Sequence, residues 1–390
     1  MSNPEKLYSM KILRYIVKSK FTSCMATLLA MVATACMDYG PRPMEQINRP
    51  GKGVFIMNEG NFQYGNASLS YYNPETKEVE QEVFVRVNGI PLGDVAQSMT
   101  IRGDVGYVVV NNSGVIFAID VNTFEVKGWI SPLTSPRYMH FLSDEKAYVT
   151  DLYAKAIAVV NPKTFEILKF INVNNHSSEF YQHPTEQMVE YTDKQGRRLI
   201  FTNCWSYDDK ILVIDTDTDQ VIDSITVCKQ PTSLIIDKNN QIWTVNDGGY
   251  DGSPYGQVTP GLYKIDAESR QVVDSIKFTF ADWPQEICMN GTRDTLYFIN
   301  KSVYRLDVDS PSPLKREMLD EFYKNTTGNY VYGLDVDPDN SEVYIADAID
   351  YVQPGIVYRR NNRSIHSGWE LSPVLSRSRS KNYNVGMSKN

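Results

Sequence analysis

Arg137, His140 and Glu186 are the residue types that would together open a lactone or abstract a proton: a carboxylate base, an imidazole and a cation for developing negative charge. The chain offers no better set. Its four histidines are His140, His176, His183 and His366, and none stands at ligand spacing from another or beside a plausible nucleophile. His140 alternates with Tyr138 and Leu142, so it either faces a cavity or rests as a satisfied core histidine, the simpler reading. His176 and His183 lie in "NNHSSEFYQH", where an imidazole could in principle ligate cobalt or a haem iron. The acidic runs "DTDTD" (Asp215, Asp217, Asp219) and "DVDPDN" (Asp335, Asp337, Asp339) suggest a calcium loop but lack its Gly and distant Glu, and they read as solvated turns. Cys204, Cys228 and Cys288 are odd in number and at no metal-ligand spacing, so they read as small buried hydrophobes. No catalytic residue, resident cofactor or metal is assigned, and the expectation is a protein that is not an enzyme.

The elements that must position such residues are announced by repetition. The form apolar, Asp/Asn, two variable residues, Thr/Ser, two variable residues, apolar recurs as "YNPETKEV" at Asn73, "IDVNTFEV" at Asp120, "VNPKTFEI" at Asn161, "IDTDTDQV" at Asp215, "IDAESRQV" at Asp266 and, degraded, "LDVDSPSP" at Asp307. Spacings of about 40–55 residues suit the blades of a β-propeller. Asp or Asn opens a turn by accepting from backbone two residues on, so each copy should close the outer hairpin of a blade.

A second repeat counts the blades. Apolar strands ending in Asn or Asp occur at Asn58, Asn111, Asp151, Asn203, Asn246, Asn300 and Asp347, which gives seven. Six are preceded by an inner strand: "QSMTI", "RYMHF", "EQMVEY", "TSLII", "QEICM" and "YGLDV". The first is preceded only by a tether. A propeller usually draws such a missing strand from the other terminus, hiding its edges. Residues 359–390 are basic, rich in Ser and Asn and without sustained alternation, so the closing strand is expected to be missing or aberrant. The fold class is therefore all-β, a seven-bladed β-propeller over residues 53–358, with an atypical basic tail over 359–390.

The first 35 residues read as an export signal: Lys6, Lys11, Arg14, Lys18 and Lys20, then the apolar run Phe21 to Ala35, which is too short to span a membrane. "MVATAC" resembles a bacterial lipobox with Cys36 as the lipidated residue, and residues 36–52 read as a Pro/Gly-rich tether. The net charge is −8; taking away the +4 of residues 1–35 and the +6 of residues 359–390 leaves −18 on the body. So acidic a body argues against nucleic acid and polyanionic substrates.

Stretches including "NEGNFQYGNASLSYYNPETKEVE", "LGDVAQSMTI", "SPRYMHFLSDEKAYVTD", "NCWSYDDKILVIDTDTD", "DGGYDGSPYG" and "EVYIADAIDYVQPGIVYR" resemble the BtuG family, YncE-like seven-bladed propeller lipoproteins of gut Bacteroidetes. The resemblance runs from about residue 53 to 358. It implies a lipid-anchored protein of the outer-membrane cell surface that captures cobalamin or a related corrinoid and delivers it to a TonB-dependent outer-membrane transporter. The ligand would be cargo, and membrane contact would be through the lipid alone. A propeller interaction module without a small ligand, or a lactonase- or lyase-like propeller, are the alternatives.

A propeller ligand would meet the loops converging on one face. The long loops leaving the second strands follow Asn58, Asn203, Asn246 and Asp347 and are rich in Tyr, Trp, Asn, Asp and Gly, a mixture suited to a large neutral ligand carrying amides. The aromatic candidates are Phe62, Tyr64, Trp205, Tyr207, Tyr250, Tyr255 and Tyr351. The polar ones are Asn58, Glu59, Asn61, Gln97, Asn112, Arg137, Glu186, Gln187, Asp247 and Asp350.

Overall fold

The computed structural model describes residues 44–175, 183–325, 330–349, 355–360 and the backbone of 383–387. The signal and Cys36, Asp350, Tyr351 and the rest of the tail lie outside them. The body is a seven-bladed β-propeller whose blades are antiparallel sheets, with strands following one another outward in chain order in blades 2 to 7. Blades 2 to 6 have four strands each and blade 7 has three among the described residues.

The repeated punctuation does what its chemistry requires. In "IDVNTFEV" the Asp120 carboxylate accepts the N–H groups of Asn122 (2.8 Å) and Thr123 (3.0 Å), and the Phe124 N–H returns to the Asp120 carbonyl at 2.8 Å. Asn73, Asn161 and Asp215 repeat this bonding. The fifth residue of each turn, Lys77, Phe124, Phe165, Asp219 and Arg270, has a positive φ of 54–63°. Each turn joins the third strand of a blade to the fourth, as Asp120 joins Val115–Asp120 to Val126–Ile130. Asp219 is held by Lys146 and Lys169, both at 2.7 Å, which accounts for that acidic run within the fold.

The strand-end Asn and Asp residues are buried ties. Asn111 donates to Ser135 Oγ and the Pro136 carbonyl of the next blade at 2.9 and 3.0 Å, and Asn203 to the Pro231 carbonyl at 2.7 Å. Apolar wedges fill the spaces between blades: Tyr107 and Val109 of blade 2, for example, pack on Met139 and Val149 of blade 3.

The expected gap in the ring is corrected. Tyr383–Met387 pairs antiparallel with Val54–Asn58 over five residues and becomes the inner strand of blade 1. The closing strand is present, drawn from the sequence's least apolar region. Five residues supply the backbone ladder that closure needs, and a ladder does not require a long alternating pattern. Closure is reinforced by packing of Val54, Ile56 and Tyr72 on Tyr344, Ala346 and Val357 of blade 7. Arg359 adds bonds to the Tyr72 hydroxyl and the Pro74 carbonyl, both 3.3 Å.

Candidate functional site

The six inner strands of blades 2 to 7 share an irregularity near their first end. Ala96 pairs with Val110 but Ser98 with Val109, so Gln97 is extra. The same count gives one extra residue at Arg137–Tyr138 in blade 3, Glu186–Gln187 in blade 4, Thr232 in blade 5, Glu286 in blade 6 and Tyr332 in blade 7. Such a bulge lets a side chain leave the pleat and be re-aimed. Repeated around a ring, it turns polar side chains into the channel mouth. Gln97, Arg137, Tyr138, Glu186, Thr232, Gln285, Glu286 and Tyr332 line a cavity of about 160 Å³ there, with Trp205, Asp247 and Trp283 from neighbouring loops. A second cavity of about 350 Å³ shares Gln97, Tyr138 and Glu286 and is also lined by Ser98, Gln187, Cys288 and Asp335.

Among the described residues lining the mouth, Arg137 is the one cation. Arg137 Nε donates to both carboxylate oxygens of Glu186, at 2.8 and 2.9 Å, and its Nη1 donates to Gln97 Oε1. Burial is the largest single influence on Arg137 and works against its charge, but the Glu186 charge and hydrogen bond together with Tyr138 and Glu59 outweigh it and raise the guanidinium's proton affinity. Glu186 also moves up, because burial outweighs Arg137 there. The guanidinium itself keeps its proton at any ordinary pH. Burial, then the Glu186 charge, pushes Glu286 up to about 7. Burial lifts Asp247 to about 6 against bonds from the Gly249 N–H and Gln230. The Tyr332 hydroxyl donates to Glu59 at 3.1 Å. Among the described residues lining the two cavities, four carboxylates, Glu186, Asp247, Glu286 and Asp335, face one cation.

Of the residues singled out in the sequence, Gln97, Arg137, Glu186, Trp205 and Asp247 meet in the cavity, and Glu59 reaches it through Tyr332. Phe62 and Tyr64 are 62% and 76% exposed on the blade 1 loop, and Tyr250 is exposed on the blade 5 loop. Tyr207 and Tyr255 meet edge to face with ring centroids 4.7 Å apart, tying the long loops of blades 4 and 5.

Other candidates are taken up by the scaffold. Asn58 is buried and donates to Ser68 and Ser70, the Asn61 N–H is held by Asn66 Oδ1, and Asn112 donates to Asp94. Gln187 accepts from Ser233 Oγ and the Leu234 N–H, joining blades 4 and 5. Arg137, His140 and Glu186 do not converge: His140 Nε2 lies 3.4 Å from Glu190, whose carboxyl His140 and Arg198 hold down at about 2.

Tyr138, Thr232, Trp283, Gln285, Glu286 and Tyr332 were not singled out. The signal was a pair of residues before the first aliphatic one in every inner strand, QS, RY, EQ, TS, QE and YG, visible once the six are set one above another.

Solved structures with the same fold include a candidate 6-phosphogluconolactonase of Bacteroides uniformis, 14% identical, with a TM-score of 0.60 over 86% of this chain and 99% of that one. A quinonprotein alcohol dehydrogenase-like protein of Bacteroides thetaiotaomicron is 13% identical, with a TM-score of 0.59 over 83% and 76%. At such identities the likeness is one of fold alone. No curated protein matches the chain. A family model described as domain of unknown function DUF5074 matches residues 52–362, from the first strand of blade 1 to the last described strand of blade 7, and the chain belongs to that family.

Proposed function

We propose that the channel mouth captures a large, amide-bearing small molecule of the corrinoid class, cobalamin being the representative, without chemical conversion. The observation that carries this reading is the convergence of Gln97, Arg137, Glu186, Trp205, Asp247 and Glu286 in one polar well, with exposed aromatic side chains on the loops of blades 1 and 5. A well of about 160 Å³ is smaller than the roughly 300–1,000 Å³ that encloses a drug-sized ligand, so the ligand lies across the mouth and sends one arm down. An amide arm fits: its N–H groups donate to Glu286 or Asp247 and its carbonyl accepts from Arg137. Phe62, Tyr64 and Tyr250 then cover the apolar edges of the macrocycle. Preordered loops on a closed ring lose little entropy on binding. Anchored through Cys36 at the outer surface, the protein would pass its cargo to a TonB-dependent transporter.

Calorimetric titration of the full chain with cyanocobalamin, with haem as control, tests this. Stoichiometric binding of the corrinoid alone is the expected result, and a folded chain that gives no heat with it would sink the proposal. A second reading, an interaction module, is favoured by exposed apolar side chains on the outermost strands of four successive blades, Trp129, Leu168, Phe170, Ile222 and Val273. A flat corrinoid titration would move that reading to first place.

A further inference from the structure

Blade 4 carries a second cluster of chemically capable side chains outside the polar well. His183 precedes the inner strand Thr185–Thr192, Cys204 ends the strand Arg198–Cys204, and Asp208 sits in the loop that follows. One donor atom of each lies within 4.8 Å of the other two, and His183 Nδ1 is 2.7 Å from Asp208 Oδ2. We infer that His183, Cys204 and Asp208 form a binding site for a divalent cation of the zinc type.

Imidazole, thiolate and carboxylate are the three donors that zinc takes from proteins, and three of them leave one tetrahedral position for water. Bonds of about 2.0–2.3 Å to a tetrahedral ion set its ligands roughly 3.5 Å apart, so closure on the ion asks for movements of about 1 Å. The backbone around the cluster is held in unusual conformations: His183 at φ 47°, Ser206 at 44° and Tyr207 at 70°, all non-glycine residues in the left-handed region. Strain of this kind persists where the surroundings impose it, and it gathers at ligand sites.

Cys204 is fully buried, and a bound divalent ion would take its thiolate form. The ion would also brace the polar well. Trp205 of the well and Tyr207 lie between two of the ligands, the Asp208 carbonyl accepts the Gln230 N–H at 2.7 Å, and Gln230 Nε2 holds Asp247 at 2.8 Å. The site stands whether or not the well takes a corrinoid.

The test is metal uptake by the full chain, stripped with chelator and then titrated with zinc or cobalt(II). One ion per chain is expected, with a thiolate-to-cobalt charge-transfer absorption that disappears in Cys204→Ala. His183→Ala and Asp208→Ala should weaken zinc binding by more than the roughly 10–100-fold that loss of an outer partner costs. Circular dichroism identifies any variant that fails to fold; if Cys204→Ala does, the less buried Asp208→Asn carries the test with the same expected loss. A folded chain that takes up no zinc, or folded variants that bind it as tightly as the parent, would overturn the inference.

Discussion

Arg137 Nε lies 2.8 and 2.9 Å from the two carboxylate oxygens of Glu186, so the inner strands of blades 3 and 4 are joined at the channel mouth by a buried ion pair. The same guanidinium reaches Gln97 of blade 2. Three successive blades are thus held in register by one side chain, which also supplies the only cation among the described residues lining the two cavities.

Removing that cation should be costly. Arg137→Met leaves Glu186, only 2% exposed, as an uncompensated buried carboxylate, and breaking a buried pair in this way typically costs about 3–5 kcal/mol. Arg137→Met with Glu186→Leu removes both charges and should recover most of the loss. Urea unfolding of the parent, single and double variants measures it. A single variant within about 1 kcal/mol of the parent would mean that water in the channel already solvates the pair.

Glu286 gives the fold a pH dependence of known sign. Its carboxyl titrates near 7 in the folded chain against an ordinary 4.5, so between those values the native state binds the proton more tightly than the unfolded chain. This contribution is greatest in acid, is lost as pH rises from about 4.5 to 7, and stays lost above. Glu286→Gln should therefore stabilise the chain at pH 8, on the order of 1–2 kcal/mol after allowing for channel water, and change little at pH 4.5. Thermal melts of both proteins at the two pH values show whether the gain appears only on the alkaline side.

Blade number and turn positions were legible because each rests on local chemistry. Asp120 and its counterparts need only their own next few N–H groups, and a chain that repeats the turn shows it in its letters. The well was half legible. Arg137 and Glu186 stand out by charge, whereas Glu286 and Tyr332 reach the well through a one-residue bulge, and a bulge is a relation between two strands. Read as ordinary period-2 strands, those positions fall on either face. The closing strand was illegible for a different reason: Tyr383–Met387 is placed by the unpaired edge of Val54–Asn58, a demand from the opposite end of the chain.

That edge makes the tail's contribution measurable. Removing residues 361–390 exposes the Val54–Asn58 ladder, while the packing of Ile56 and Tyr72 on Tyr344 and the Arg359 bonds remain. A few lost ladder bonds at about 1 kcal/mol each should lower the melting temperature by about 5–10 °C without abolishing the β spectrum. The truncated chain should also associate, since a bare inner edge is a template for pairing. An unchanged melt with a monomeric profile would show that the blade closes without the strand.

Trp205 tests the binding reading most directly, because its ring lines the well while its backbone N–H is held by the Pro184 carbonyl at 3.0 Å, so the loop survives loss of the side chain. An aromatic anchor in a partly enclosed site is commonly worth about 2 kcal/mol or more on truncation, or roughly thirtyfold in affinity. Trp205→Ala should weaken corrinoid binding by at least that factor. Trp205→Phe keeps a ring and removes an indole N–H that has no hydrogen-bond partner among the described residues, so it should cost less, and it leaves the Gly249 and Gln230 bonds to Asp247 in place. Affinity measured from pH 5 to 8 separates stacking from any contribution of the Asp247 carboxylate. A loss confined to Trp205→Ala marks stacking on the ligand, whereas a pH-dependent loss shared by both variants marks the Asp247 carboxylate as the group that the ligand reads.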